Sequence, residues 1–294
     1  MQNKSSIHLR YLCFTAMLVA IAVVMRIFSL SIPLMGENGM RIGFAGIFSS
    51  LPAILFGPVW GGLASGVTDI LGHLVRPEGA YLPQITLVAI SAGFLRGIMW
   101  LLLRNRNPNK LRLLVLIGSI IVLLFGAANW IIFRIDNIAP DFFEYLYGQE
   151  ADTSNMFFIS RWAIARSEVV SNPTNTLTTM ITSVTITPFI AGILGLVLFG
   201  VDKVMSFSLK KSYKEHASIM PLLISLLVAA WWQSTLNTII LRQYVFASWQ
   251  LLPFWMVWFP RIIQSTITVI VHSYFVALLM GVCKKQKHLK PYLR

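Results

Sequence analysis

Long apolar runs separated by short polar or basic turns divide the sequence into eight segments, approximately 9–31, 42–57, 58–75, 84–103, 113–133, 176–200, 217–241 and 254–282. A bilayer core takes about 20 helical residues to cross, with a range of about 17–25. The pattern therefore predicts an all-α integral membrane protein of about eight helices. The second segment is short and is expected to tuck against protein or stop short of one interface. The eighth is long, and Trp255 and Trp258 near its start suit an interfacial anchor. The densest patterning lies between Met40 and Phe94, where two apolar segments meet almost without a loop at Phe56-Gly57-Pro58. Pro58 suits the first turn of a helix, where its missing N–H is not needed. From there the i, i+4 row Gly57, Gly61, Ser65, Asp69, His73 climbs one face, beside the row Gly62, Gly66, Ile70. Rows of small residues let helix backbones approach closely in a bilayer. Here the row finishes in a carboxylate and an imidazole.

Composition points the same way. Hydrophobic residues make up 56% of the 294 and charged residues only 12%, with a mean hydropathy of +0.71. That is far too apolar for a soluble domain of this length. The net charge of +13 does not indicate nucleic acid, because the basic residues occupy short loops between apolar runs. With the N-terminus inside, the inner segments gather 15 Lys and Arg against two acids, Asp202 and Glu215, and the outer ones six Arg against eight acids. Positive-inside asymmetry predicts a multi-pass protein of the cell membrane with both termini cytoplasmic. Cys13 and Cys283 make no CxxC pair, so neither a disulfide framework nor a zinc site is implied. The first apolar run lacks a signal-peptide cleavage pattern and is long enough to remain as a spanning helix.

Catalytic signatures are missing. There is no GxxxxGK[ST], HExxH or GxSxG sequence, and the five His form no metal spacing, so no cofactor or metal is expected. An intramembrane hydrolase would have only Ser65 or Ser273 with His73 or His272 to work with. What stands out is a set of ionisable groups within or at the outer edge of the membrane: Arg26, Arg41, Asp69, His73 and Arg261. Charges at such depth cost about 2.5–3.5 kcal/mol on insertion scales and default to functional hypotheses. An internal ion pair, Asp69 with Arg26 or Arg261, is the structural alternative. Three arginines against one carboxylate leave positive charge over, which favours an anionic ligand. In the seventh segment Gln233 and Asn237 share one face at i, i+4 spacing and need partners, either another helix or a ligand, while Trp231, Thr235 and Thr238 lie near another face. In the fourth segment Arg96 stands beside the small row Ala89, Gly93, Gly97, and is expected to snorkel toward the inner headgroups. The glycine-rich outer stretch Leu34–Met40 reads as a connector or a lid.

Several motifs carry a family resemblance. They are Arg41-Ile42-Gly43-Phe44 opening the second helix, Leu55-Phe56-Gly57-Pro58-x-Trp60-Gly61, Asp69-Ile70-Leu71-Gly72, Tyr81-x-Pro83, and Phe259-Pro260-Arg261 opening the last helix. In order and spacing the chain resembles the substrate-binding S components of energy-coupling factor (ECF) vitamin transporters, specifically the folate family. The resemblance covers 1–104, as S-component helices one to four, and 217–294, as the last two helices and a basic cytoplasmic tail. Residues 105–216 depart from it as an inserted helix pair with a long external loop, Arg134–Asn175, whose many aromatic residues suggest short interfacial helices.

The resemblance implies a protein that does no chemistry. It would capture a vitamin from outside and work with a transmembrane coupling subunit and two ABC-type ATPases, toppling in the membrane to release its cargo. It also implies that a row of small residues on the first helix, here Ala16 and Ala20, docks the coupling subunit; ordinary helix packing is the alternative. Folate fits the residues, since glutamate carboxylates match planar Arg forks, Asp69 is able to accept a donor pair from the amino-pterin ring, and Tyr81 and Trp231 offer stacking faces. The rival readings are an S component for another vitamin or small anionic aromatic, and a non-transporting scaffold whose basic loops bind membrane lipids.

Overall fold

The computed structural model describes residues 4–34, 37–77, 79–136, 155–167, 173–209, 219–250, 252 and 254–285. Helix α1 (Lys4–Ile27) leads into a two-stranded antiparallel hairpin, β1 (Leu30–Leu34) and β2 (Glu37–Ile42), and then into the short α2 (Ala45–Leu55). Gly57 takes a φ of 105°, a left-handed value suited to glycine, and turns the chain into α3 (Pro58–Val75) with Pro58 at its first position. Helices α4 (Pro83–Leu103), α5 (Pro108–Ile135), the short α6 (Phe158–Ser167) and the long α7 (Pro173–Leu209) follow. The chain ends in α8 (Met220–Tyr244), a single turn α9 (Ala247–Gln250) and α10 (Phe254–Lys285).

Six stretches are long and apolar enough to cross a membrane: His8–Ile27, Pro83–Leu103, Pro108–Ile135, Val184–Val204, Met220–Tyr244 and Phe254–Gly281. The chain is thus a multi-pass membrane protein, with six rather than eight such helices among the described residues. Helix α2, at 11 residues, is too short to span, and α3, at 18, is interrupted by glycines and polar residues along the face noted in the sequence. Most of the Arg134–Asn175 stretch lies outside the described residues; within it α6 is one short helix.

The hairpin corrects the sequence reading. The stretch 34–40 is expected to form a connector or lid and Arg41 to open a helix; Leu34 and residues 37–41 lie instead on paired strands, with Ser31 opposite Arg41 and Leu30 opposite Ile42. Buried backbone carbonyls need hydrogen-bond partners. One edge of β2 meets this demand through side chains of α10. Arg261 donates to the Gly39 carbonyl, Gln264 to the Arg41 carbonyl at 2.6 Å, and His272 to the Gly43 carbonyl at 3.0 Å. The strand descends alongside the helix, and one hydrophilic seam zips them together. A second correction concerns Arg261 itself. Helix α10 starts at Phe254 and runs through Pro260, so the Pro-Arg pair lies inside it rather than opening it.

The glycine rows do what the pattern predicts. A β-carbon on Gly61 would strike Ala53 of α2 and the Gly93 carbonyl of α4, one on Gly93 would strike Gly61 and Ser65, and one on Gly97 would strike Pro58. Helix α3 is therefore pressed between α2 and α4 at near-backbone contact. Below it, Tyr11, Leu18, Ile47, Leu51, Ile54, Phe56, Leu226 and Val276 close a core joining α1, α2, α8 and α10.

Candidate binding cavity

These elements enclose a cavity of about 1130 Å³. It is walled by the end of α1, the hairpin, α2, α3, α4, α8 and α10, while no described residue of α5, α6 or α7 lines it. Its hairpin end reaches the surface at the exposed residues Gly79, Ala80, Tyr81, Tyr244 and Val245. The other end is closed by the buried residues Ser50, Arg96, Leu226 and Val269. The mouth belongs to loops and helix ends, and the floor to packed helices.

Of the residues singled out in the sequence, Arg26, Arg41, Asp69, His73, Tyr81, Gln233, Asn237 and Arg261 all line this cavity. Asp69 pairs with Arg26, Oδ1 to Nη1 at 3.4 Å, and its Oδ2 accepts from Thr86 at 2.8 Å. Because Thr86 donates there, the Tyr81 hydroxyl donates to Thr86, also at 2.8 Å. The His73 ring lies 5.3 Å from that of Tyr81. So the ion pair considered as the structural alternative forms, and with Arg26 rather than Arg261. The Arg26 Nε remains without a hydrogen-bond partner. Arg261 lies with its guanidinium 5.7 Å from the Trp249 ring centre and its Nε unpartnered, while the buried Trp249 packs against Gly39. Burial first, then repulsion from Arg26 and Arg76, lowers the Arg41 guanidinium to about 10, with Asp69 opposing the shift. Gln233 and Asn237 face the cavity together, and the Asn237 side-chain oxygen has no partner.

Trp231 does not line the cavity. It is 45% exposed on the outer surface of the bundle and donates to Thr266 of α10 at 3.0 Å. Ala16 and Ala20 are exposed on α1, away from the cavity.

The sequence reading missed Arg76, Arg96, Gln264 and His272, all of which line the cavity. Arg76 donates to the carbonyls of Ile27 and Ser29 and ties the end of α3 to the start of the hairpin. Arg96 overturns the snorkelling expectation, since it is 9% exposed and points inward. The signal was present in its neighbours: Gly93 and Gly97 draw α4 onto α3, and an arginine between them is carried into the bundle. Gln264 and His272 gave no signal because their partners belong to a strand that was not foreseen.

Among the described residues the lining carries the guanidinium groups of Arg26, Arg41, Arg76, Arg96 and Arg261 against one carboxylate, Asp69. Such a lining attracts anions and, with Tyr81, Tyr244 and Phe246 near its mouth, presents ring faces as well. Among the described residues no group of His, Cys, Asp and Glu is placed to hold a metal ion. A family model described as ECF transporter, substrate-specific component matches residues 10–164, a stretch that reaches into the 105–216 region set apart by its motifs. The chain is 29% identical over 123 residues to a protein named Folate transporter FolT from Clostridium novyi (strain NT), covering 42% of this chain and 67% of that one. No solved structure matches. With more than half of its length matched and a cationic cavity formed mainly by the matched elements, the chain belongs to the family of substrate-specific components of ECF transporters.

Proposed function

We propose that the cavity captures folate from the outer face of the cell membrane and releases it inward, in complex with a transmembrane coupling subunit and two ABC-type ATPases. One observation carries the choice of an anionic vitamin: among the described residues five arginines and one carboxylate line a single cavity, and that carboxylate is already paired with Arg26. The positive surplus matches the glutamate carboxylates of folate, which planar guanidinium forks bind bidentately. Tyr81, Tyr244 and Phe246 offer faces for its rings. The name of the Clostridium novyi relative supports folate over other anionic vitamins. The exposed small residues Ala16 and Ala20 on α1 suit close docking of the coupling subunit. The charge asymmetry of the loops supports cytoplasmic termini and a mouth facing outward.

The purified protein in detergent, titrated with folate in a calorimeter, tests the substrate. Saturable one-to-one binding is the expected result. An absence of heat with folate, together with a different anionic vitamin found by mass spectrometry of the co-purified small molecules, would overturn folate and keep the S-component reading.

A further inference from the structure

The arginines of the cavity do not form one cluster. Arg26, Arg41, Arg76 and Arg261 belong to the hairpin end, where carbonyl groups, Asp69 and a tryptophan face surround them. Arg96 stands apart. On α4 it lies ten residues beyond Thr86, the residue bonded to Asp69, which is about 15 Å deeper along the helix axis. It is 9% exposed, and its Nε and Nη1 have no hydrogen-bond partner. Asp69, the one carboxylate among the described lining residues, is held at the far end by Arg26 and Thr86. Nearby on the floor, Ser50 donates to the Gly46 carbonyl of α2 and His272 to the Gly43 carbonyl just after β2, so neither hydrogen-bonds to Arg96.

A buried, unpaired guanidinium is costly and contributes nothing to packing that an apolar side chain of similar length would not supply better. Its retention makes sense when a ligand completes it. We propose that Arg96 forms a second anion subsite at the closed end of the cavity, which takes an oxyanion carried on the deep end of the ligand. This deepens the reading of the cavity as a vitamin site and rests on it, though not on folate in particular. For folate it sets the orientation: a glutamate carboxylate enters first and the pterin stays toward Tyr81 and the mouth.

The test compares wild type with Arg96→Met, using folate as the probe and the melting temperature of the empty protein as the second readout. A structural arginine should lower that melting temperature when replaced. A ligand-completed one should leave it unchanged or raise it. The expected result is a loss of folate affinity of at least ten-fold with the empty protein melting no lower than wild type. A smaller loss, or a clear drop in melting temperature, overturns the subsite. Should Arg96→Met fail to fold, Arg96→Gln is held to the same two criteria. If wild type does not bind folate, the substrate reading fails by itself and inorganic sulfate becomes the probe. Wild type should then melt higher in sulfate than in chloride of matched ionic strength, and the Arg96 variant should lose most of that difference. Equal differences in the two proteins would count against the subsite.

Discussion

The hairpin with α10 and the pair α5–α7 show two ways of adding structure to a membrane bundle. The hairpin lays peptide groups against α10, and the carbonyls of Gly39 and Arg41 in β2 and of Gly43 just after it accept from Arg261, Gln264 and His272. Those side chains then line the cavity. The α5–α7 pair consists of long regular helices, whose backbone bonds lie mostly within each helix. It packs through small residues instead. A β-carbon on Gly126 would meet the backbone of Thr185 and Phe189, and one on Gly192 the backbone of Leu123. Its main polar link is an ion pair at one end, Arg112 to Asp202 at 2.6 Å, where Asp202 also accepts from the Ile219 amide. Among the described residues none of the pair lines the cavity. The hairpin thus contributes to the site by drawing polar side chains of α10 to its carbonyls, whereas the α5–α7 pair adds surface and packing.

This contrast is broken most directly at Arg261. Arg261→Ala removes both the cap on Gly39 and a cavity charge, and folate affinity should fall by about 2–5 kcal/mol, as for loss of one partner in a buried charged contact. Calorimetric titration checks it, and an affinity within three-fold of wild type would sever the hairpin from ligand binding. The matching change in the other region is Gly126→Leu. Overpacking the α5–α7 contact should cost about 1–3 kcal/mol of stability, seen as a lower melting temperature, while folate affinity stays as in wild type. Weakened binding there would show that the pair communicates with the cavity after all.

How much of this was legible depended on whether a residue's signal lay in its own helix. Gly57-Pro58 and the rows through Gly61, Gly66, Gly93 and Gly97 encode the α3–α4 contact, because helical spacing alone puts them on one face. Asp69, His73, Gln233 and Asn237 were legible for the same reason: each is a polar residue on a known face of an apolar helix. The hairpin was not. Its strands are short, the glycine-rich stretch between them reads as a loop, and its stability comes from α10, more than two hundred residues away in sequence. Trp231 offered a stacking face, but its spacing does not tell that it turns to the outer surface, where its indole N–H donates to Thr266.

A smaller effect is expected at the mouth. The Arg26–Asp69 pair is partly exposed, with side-chain accessibilities of 18% and 17%, so solvent screens it. Asp69→Asn leaves Arg26 with less compensation and should lower the stability of the empty protein by about 1–3 kcal/mol. Adding Arg26→Gln should recover much of that loss, because the two act as one unit. Melting curves of the two singles and the double decide it. Strictly additive losses would mean that Asp69 is held chiefly by Thr86, not by Arg26.

The smallest energetic effect, and the sharpest division of labour, is expected on α1. Ala16 and Ala20 are exposed, touch neither the cavity nor the α5–α7 pair, and have room for bulk in the isolated protein. Ala20→Trp should therefore change stability by no more than about 0.5 kcal/mol and leave folate affinity untouched. Uptake into cells that also express the coupling subunit and the ATPases should nonetheless stop, because a large side chain holds apart two helices that must meet at backbone distance. Gly118 of α5, where an added β-carbon meets nothing within 4 Å, supplies the control. Gly118→Trp should disturb neither binding nor uptake if docking belongs to α1. Loss of uptake from Gly118→Trp with Ala20→Trp silent would move the docking face to the α5–α7 pair, and give that pair the function that its distance from the cavity denies it.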